Sequence, residues 1–85
     1  MEEKKLIGRV THYYRKIGVA VVELEDELKL GDEISIEGKT TNFKQKVESM
    51  QIEHKPVEVA KAGDSIGLKV IEKVRDGDKV YKIVS

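Results

Sequence analysis

Apolar residues along most of the chain fall at every second position, the period of a half-buried β-strand rather than of a helix. Leu6, Gly8 and Val10 alternate with Ile7, Arg9 and Thr11, and Ala20, Val22 and Leu24 share one face of the run from Val19 to Leu24. Ile34 and Ile36 sit between Glu33, Ser35 and Glu37, and Met50 and Ile52 between Ser49, Gln51 and Glu53. Ile66, Leu68 and Val70 alternate with Gly67, Lys69 and Ile71. A last segment, Lys79 to Val84, carries Val80 and Val84 on one face and Tyr81 and Ile83 on the other. Only Val22 to Leu30 also fits a turn of helix; it is short and poorly capped, so a loop or single turn is expected there.

The breaks between these runs are well marked. Gly31-Asp32, Gly63-Asp64 and Gly77-Asp78 each precede one residue and then Ile or Val. Glycine supplies positive φ at the end of a tight turn, and aspartate is expected to bond the backbone two residues on. Gly38-Lys39-Thr40-Thr41-Asn42 reads as a further loop, and Pro56 is expected to end the Val47–His54 segment. The unequal spacing of the three Gly-Asp turns argues against an internal repeat. The expected fold is therefore all-β: one domain over residues 1–85, a small closed antiparallel barrel of six or seven strands. Closure is the simplest way for so short a chain to avoid two exposed sheet edges.

Composition narrows the classes of function. The chain has no cysteine, which removes disulfides and cysteine-ligated zinc as sources of stability. Charged residues make up 38% of its 85 positions, yet 16 basic and 16 acidic side chains cancel, so a dedicated binder of nucleic-acid duplexes is not indicated. Dense balanced charge with Asn42 as the only asparagine fits a thermophilic source. No apolar stretch has the length of a signal peptide or a membrane span, and a soluble, cytoplasmic protein with no membrane partner is expected.

The richest chemical cluster is His12-Tyr13-Tyr14-Arg15-Lys16, with two of the three tyrosines beside two cations. Aromatic groups interleaved with cations grip single-stranded nucleic acid by stacking and phosphate contact. Equally, such tyrosines can cover the end of a sheet while Arg15 and Lys16 are merely solvated. Lys44 and Lys46, two apart on one strand, share a face and with Lys39 and Lys55 suggest a basic stripe, though outward lysines also protect sheet edges. His12 and His54 are the only histidines and form no paired metal motif, so no metal site is expected. Ser35, Ser49, Ser65 and Thr11 have no recognisable base partner, and Glu25-Asp26-Glu27 reads as a solvated acidic loop. No Gly-x-x-x-x-Gly-Lys-[Ser/Thr] phosphate loop occurs, so neither catalysis nor a nucleotide cofactor is expected.

Three ordered segments resemble the second domain of elongation factors Tu and 1A: Leu28–Ile36 with its Lys-x-Gly-Asp core, Val47–His54, and Ala60–Val70 with its Ala-x-x-Gly-Asp turn. Gly8-Arg9-Val10 and Asp76–Val80 extend the likeness over nearly the whole chain. In that family the positions matching Gln51, His54 and Ser65 help hold the aminoacylated end of tRNA; Tu-type factors carry Glu, Arg and Asn there, so the resemblance implies the scaffold without that contact. Val10–Tyr14, Ile17–Ala20 and Lys46–Met50 resemble the C-terminal barrel of collagenase-like peptidases of unclassified catalytic type, a family that includes RNA- and cofactor-modifying enzymes. Their catalytic machinery lies in a separate large domain.

The two resemblances imply two non-catalytic roles. In the first, a free-standing binding module docks on RNA, the ribosome or a protein of translation or RNA modification. In the second, an accessory domain associates with a separately encoded collagenase-like peptidase or hydroxylase subunit. No cofactor is implied by either.

Overall fold

A computed structural model describes residues 3–84. Met1 and Glu2, the start of the charged N-terminal run, and Ser85 lie outside the described residues. The strands are β1 (Lys4–Tyr14), β2 (Val19–Leu24), β3 (Leu28–Lys29), β4 (Glu33–Glu37), β5 (Asn42–Lys46), β6 (Met50–Ile52), β7 (Lys55–Pro56), β8 (Val59–Ala60), β9 (Ser65–Lys69) and β10 (Lys79–Ile83). Eight of them form one antiparallel sheet in the order β5-β4-β10-β1-β2-β9-β6-β7, and β3 pairs with β8 as a separate ribbon.

The all-β expectation holds, whereas the strand count and the closure need correction. Ten strands form among the described residues, because β3, β7 and β8 have two residues each and are too short to show a period in sequence. The hydrogen-bonded ladder is not closed into a barrel; β5 and β7 are its ends. A side chain carries β5 across to the segment at the end of β9. Gln45 is buried, donates from Nε2 to the Lys69 carbonyl at 2.8 Å and accepts at Oε1 from the Ile71 N–H at 2.9 Å. Its amide has the donor and acceptor of a peptide unit and stands in for a backbone rung. Pro56 sits in the end strand β7, where its missing N–H breaks no ladder.

Two bulges in β1 correct the expected alternation. The register shifts between Leu6 and Gly8 against β10, and between Val10 and His12 against β2. An extra residue at a bulge moves the residues after it to the opposite face. Ile7 is therefore buried together with Gly8 and Val10, and Leu6 faces out. Val84, expected beside the buried Val80, is exposed.

The Gly-Asp turns form a repeated unit that unequal spacing concealed. Gly31, Gly63 and Gly77 have φ of 90°, 92° and 91°. The Asp N–H donates to the carbonyl three residues back, Lys29, Lys61 or Arg75, at 3.1, 3.0 and 3.0 Å. This is the geometry of a type II turn, which needs positive φ at its third residue. The aspartate side chains do not reach forward as expected. Asp32, Asp64 and Asp78 accept at Oδ2 from the N–H of those same basic residues at 2.9, 2.9 and 2.8 Å.

Each turn then grips one buried residue, within a strand or just after one, through two backbone bonds. Gly31 N–H and Asp32 C=O clasp Val47 (2.8 and 2.9 Å), Gly63 and Asp64 clasp Leu24 (2.9 and 2.9 Å), and Gly77 and Asp78 clasp Val10 (2.7 and 2.7 Å). Buried apolar residues frame every unit: Leu28 and Ile34, Ala60 and Ile66, Val74 and Val80. The core is thus pinned at three points by one device. No buried side-chain polar atom among the described residues lacks a partner.

Candidate functional site

The second bulge in β1 divides the His12–Lys16 cluster. His12, Tyr13 and Tyr14 pair with Val21, Ala20 and Val19 of β2. Tyr13, opposite the buried Ala20, packs against the core, so it is not half of an exposed stacking pair. His12 and Tyr14 lie on the outer face with ring centroids 4.4 Å apart and an interplanar angle of 68°. Arg15 and Lys16 are exposed in the β1–β2 turn, which Gly18 completes at φ 66°. Lys69 Nζ donates to the Ile17 carbonyl at 2.9 Å and ties this turn to β9.

Lys44 and Lys46 do point outward from β5 on one face. The ladder sets them three strands from β1, with β4 and β10 between. Lys55 belongs to β7, the opposite end of the ladder's hydrogen-bonded order from β5.

What the fold does bring together is a groove of about 270 Å³ on the outer face of β2, β9 and β6. Val21, Gly67 and Gln51 form one cross-strand row, and Tyr14 and Val19 another beside it. Gly67 opens the floor: a Cβ there would meet only Val19 Cγ1 at 3.4 Å and the Gln51 carbonyl at 4.0 Å. Tyr14 and Ile17 stand on one side, exposed by 50% and 60%; Gln51, Glu53 and His54 stand on the other, with Ser65 at the end.

The Glu53–His54 side of the rim is strained. Ile52 pairs with Lys55, so Glu53 and His54 are a two-residue hairpin loop with φ of 52° and 65°. Two positive φ values in succession define a type I′ turn, which ordinarily takes Asn-Gly. Here neither residue is glycine or asparagine, and strain of this kind collects at functional sites.

Sequence reading had only part of this site. Tyr14 came from the aromatic cluster, whereas Gln51, His54 and Ser65 were singled out only as positions where the translation-factor contact is not kept. Ile17, Val19, Val21 and Glu53 were missed. The available signal was Gly67, a glycine in an otherwise apolar strand, which marks close approach of a ligand or another backbone.

A larger hollow of about 390 Å³ lies over Gly8 between Leu6, Arg9, Glu23, Glu25 and Lys79. Its charges are mixed in sign and it lacks an aromatic wall. The shifted carboxylates line neither hollow. Asp26 is held below the ordinary carboxylate range by a hydrogen bond from Lys5 and by the Glu27 N–H, and Glu37 by hydrogen bonds from Lys4 and Ser35. Among the described residues no three of His, Cys, Asp and Glu converge to hold a metal, and no helix is long and apolar enough to cross a membrane.

No family model matches the chain. It is 53% identical over 76 residues to an uncharacterized protease of Methanocaldococcus jannaschii, a match covering 88% of this chain and 19% of that protein. It is 44% identical over 82 residues to a collagenase of Porphyromonas gingivalis, covering 94% of this chain and 23% of the collagenase. The chain thus spans about a fifth of the length of the curated relatives it matches. In three dimensions it is similar to the C-terminal domain of a Geobacillus thermoleovorans protein described as a U32 peptidase. That match has a TM-score of 0.86 at 23% identity over 92% of this chain and 91% of that domain. The collagenase-like half of the resemblance is what these matches name; the translation-factor half rests on the sequence segments alone.

Proposed function

We propose that the chain is a non-catalytic accessory domain that serves a collagenase-like peptidase catalytic unit. The observation that carries this is 53% identity along most of the chain to a protease of which it spans only 19%. Such a ratio fits an auxiliary module better than the centre of the chemistry.

Co-purification tests the proposal. The tagged chain is expected to retain a collagenase-like catalytic unit from the same source through salt washes, and to hydrolyse no peptide by itself. Failure to retain that unit at micromolar concentration overturns the accessory role, and hydrolysis by the chain alone overturns its non-catalytic character.

Docking on RNA, the ribosome or a translation or RNA-modification protein is the second reading. It rests on the His12–Tyr14 ring pair beside Arg15 and Lys16. Its mark is a salt-dependent shift of the amides of residues 12–16 on titration with short RNA.

A further inference from the structure

We propose that the groove over Gly67 receives one apolar side chain from an acidic segment of the catalytic unit, with the segment's carboxylates held by Arg15 and Lys16. This deepens the accessory-domain reading and rests on it for the identity of the partner.

Size selects a side chain over a cofactor. Small-molecule sites enclose roughly 300–1,000 Å³ and bury most of their ligand. This groove, at about 270 Å³, is smaller and open, and its apolar floor and single aromatic wall suit one anchor residue of a protein contact. Val19 and Val21 are only partly covered, and Ile17 extends the apolar surface outward.

Charge selects an acidic partner. Lys4, Lys5, Lys29 and Lys82 are each committed to a carboxylate, on Glu37, Asp26, Glu27 and Asp32. Among the described residues Arg15 and Lys16, which lie between the rim residues Tyr14 and Ile17, form no ion pair, and neither do Arg9, Lys61 and Lys79 elsewhere. The turn and the hairpin that flank the groove carry Arg15, Lys16 and Lys55 against Glu53 alone, on a chain whose net charge is zero. A polyanionic RNA fits less well, because the groove offers one tyrosine for stacking rather than a succession of aromatic platforms. The strained loop is the independent sign of use: a relaxed Asn-Gly turn would close the same hairpin but would remove Glu53 and His54 from the rim.

The probe is an acetylated, amidated pentapeptide with leucine between aspartates, compared with the same peptide bearing lysines and with a short single-stranded RNA. Amide spectra of the full chain are expected to shift at Tyr14, Ile17, Gln51, Glu53 and Gly67 with the acidic peptide only. Gly67→Leu, which grows into the groove, is expected to weaken binding about tenfold or more with little change in melting midpoint. Ile17→Ser, on the exposed turn, repeats that test without altering a strand. Arg15→Glu with Lys16→Glu is expected to reverse the preference between the two peptides.

The proposal is overturned if the acidic peptide shifts none of these amides, if both peptides bind equally, or if RNA alone moves them. It is also overturned if the shifts collect at Leu30 and Val59, the exposed apolar residues at the β3–β8 ribbon. Co-purification separates this inference from the accessory role. Capture of the catalytic unit that is equal for Gly67→Leu and wild type removes the groove but keeps the accessory role. Peptide binding without capture does the reverse.

Discussion

Both the Gly-Asp turns and the Glu53–His54 hairpin need residues with positive φ, and the chain fills the two kinds of site in opposite ways. The turns use glycine, with no atom within 4 Å of where a Cβ would stand at Gly31, Gly63 or Gly77. Space is therefore not what demands glycine there; the backbone angle is. The hairpin uses Glu and His at φ of 52° and 65°, each costing about 1–2 kcal/mol relative to a right-handed conformation. Relaxed backbone serves where turns hold buried strand residues in place. Strain is tolerated where side chains reach a groove. Stability and binding are thus assigned to different turns.

The largest effect should come from putting a side chain where the angle forbids one. Gly77→Val, and more mildly Gly31→Ala, Gly63→Ala and Gly77→Ala, should each lose about 1–3 kcal/mol. For a chain of this size that is a fall in melting midpoint of about 4–8 °C per kcal/mol. The open space at these positions makes the loss purely conformational, so Asn should cost less than Ala at all three. Equal melting of the Ala and Asn variants would show that these turns are not held by φ, and the comparison would fail.

The aspartates should come next, graded by burial. Asp78 is buried and sits against Gly38, where any Cβ would overlap its carboxylate. Asp78→Ala leaves the Arg75 N–H without its acceptor and should cost about 1–2 kcal/mol. Asp32 and Asp64 are only half-buried, and water can replace their carboxylates. Their alanine variants should cost about 0.5–1 kcal/mol by urea unfolding. An Asp64 loss as large as that of Asp78 would mean that the turn bond, rather than burial, dominates, since Asp64 has no ion pair of the kind Asp32 makes with Lys82.

The hairpin should respond with the opposite sign. Replacing Glu53→Asn together with His54→Gly installs the residues a type I′ turn prefers and should raise stability by up to about 1 kcal/mol. The same variant should bind the acidic peptide differently, since Glu53 and His54 leave the rim. A double variant that is less stable than wild type would show that these side chains support the fold, and strain would no longer mark function here.

The sequence showed how the strands lie more readily than what their outer face does. Alternation located β2, β4, β6, β9 and β10 and put Ala20, Val22, Leu24, Ile66 and Leu68 inside, because burial on one face enforces a period of two. It could not show the β1 bulges, since an extra residue looks like any other until its partner strand is known; this is why Leu6 was put on the face of Val10 and Ile7 on the opposite one. Closure also looked necessary from the edges alone, and a side-chain amide, Gln45, made the crossing instead. The groove is still harder to read. Val21, Gly67 and Gln51 are far apart in sequence and meet only through cross-strand register. A surface assembled that way leaves no periodic trace.

The smallest expected effect is on acid stability, and it serves as a control on the other three. Glu37 and Asp26 have folded pKa values below their ordinary ones, Glu37 through Lys4 and Ser35 and Asp26 through Lys5 and the Glu27 N–H. A carboxylate of lowered pKa adds stability that is complete above its unfolded pKa and is lost as the pH falls through its folded pKa. Stability should therefore be flat near neutrality and decline through and below the ordinary carboxylate range. The Glu37 share should be about a few tenths of a kcal/mol, because the pair with Lys4 keeps 37% and 31% of its two side chains exposed to screening solvent. Glu37→Gln should flatten that part of the decline in chemical unfolding at stepped pH. Neither carboxylate belongs to a Gly-Asp turn or to the hairpin, so the acid increment should be the same in wild type, Gly63→Ala and the Asn-Gly hairpin variant. An increment that changes with the turn would mean that charge and backbone geometry are coupled across the sheet, and the separation of holding turns from binding turns would have to be redrawn around β4 and β1.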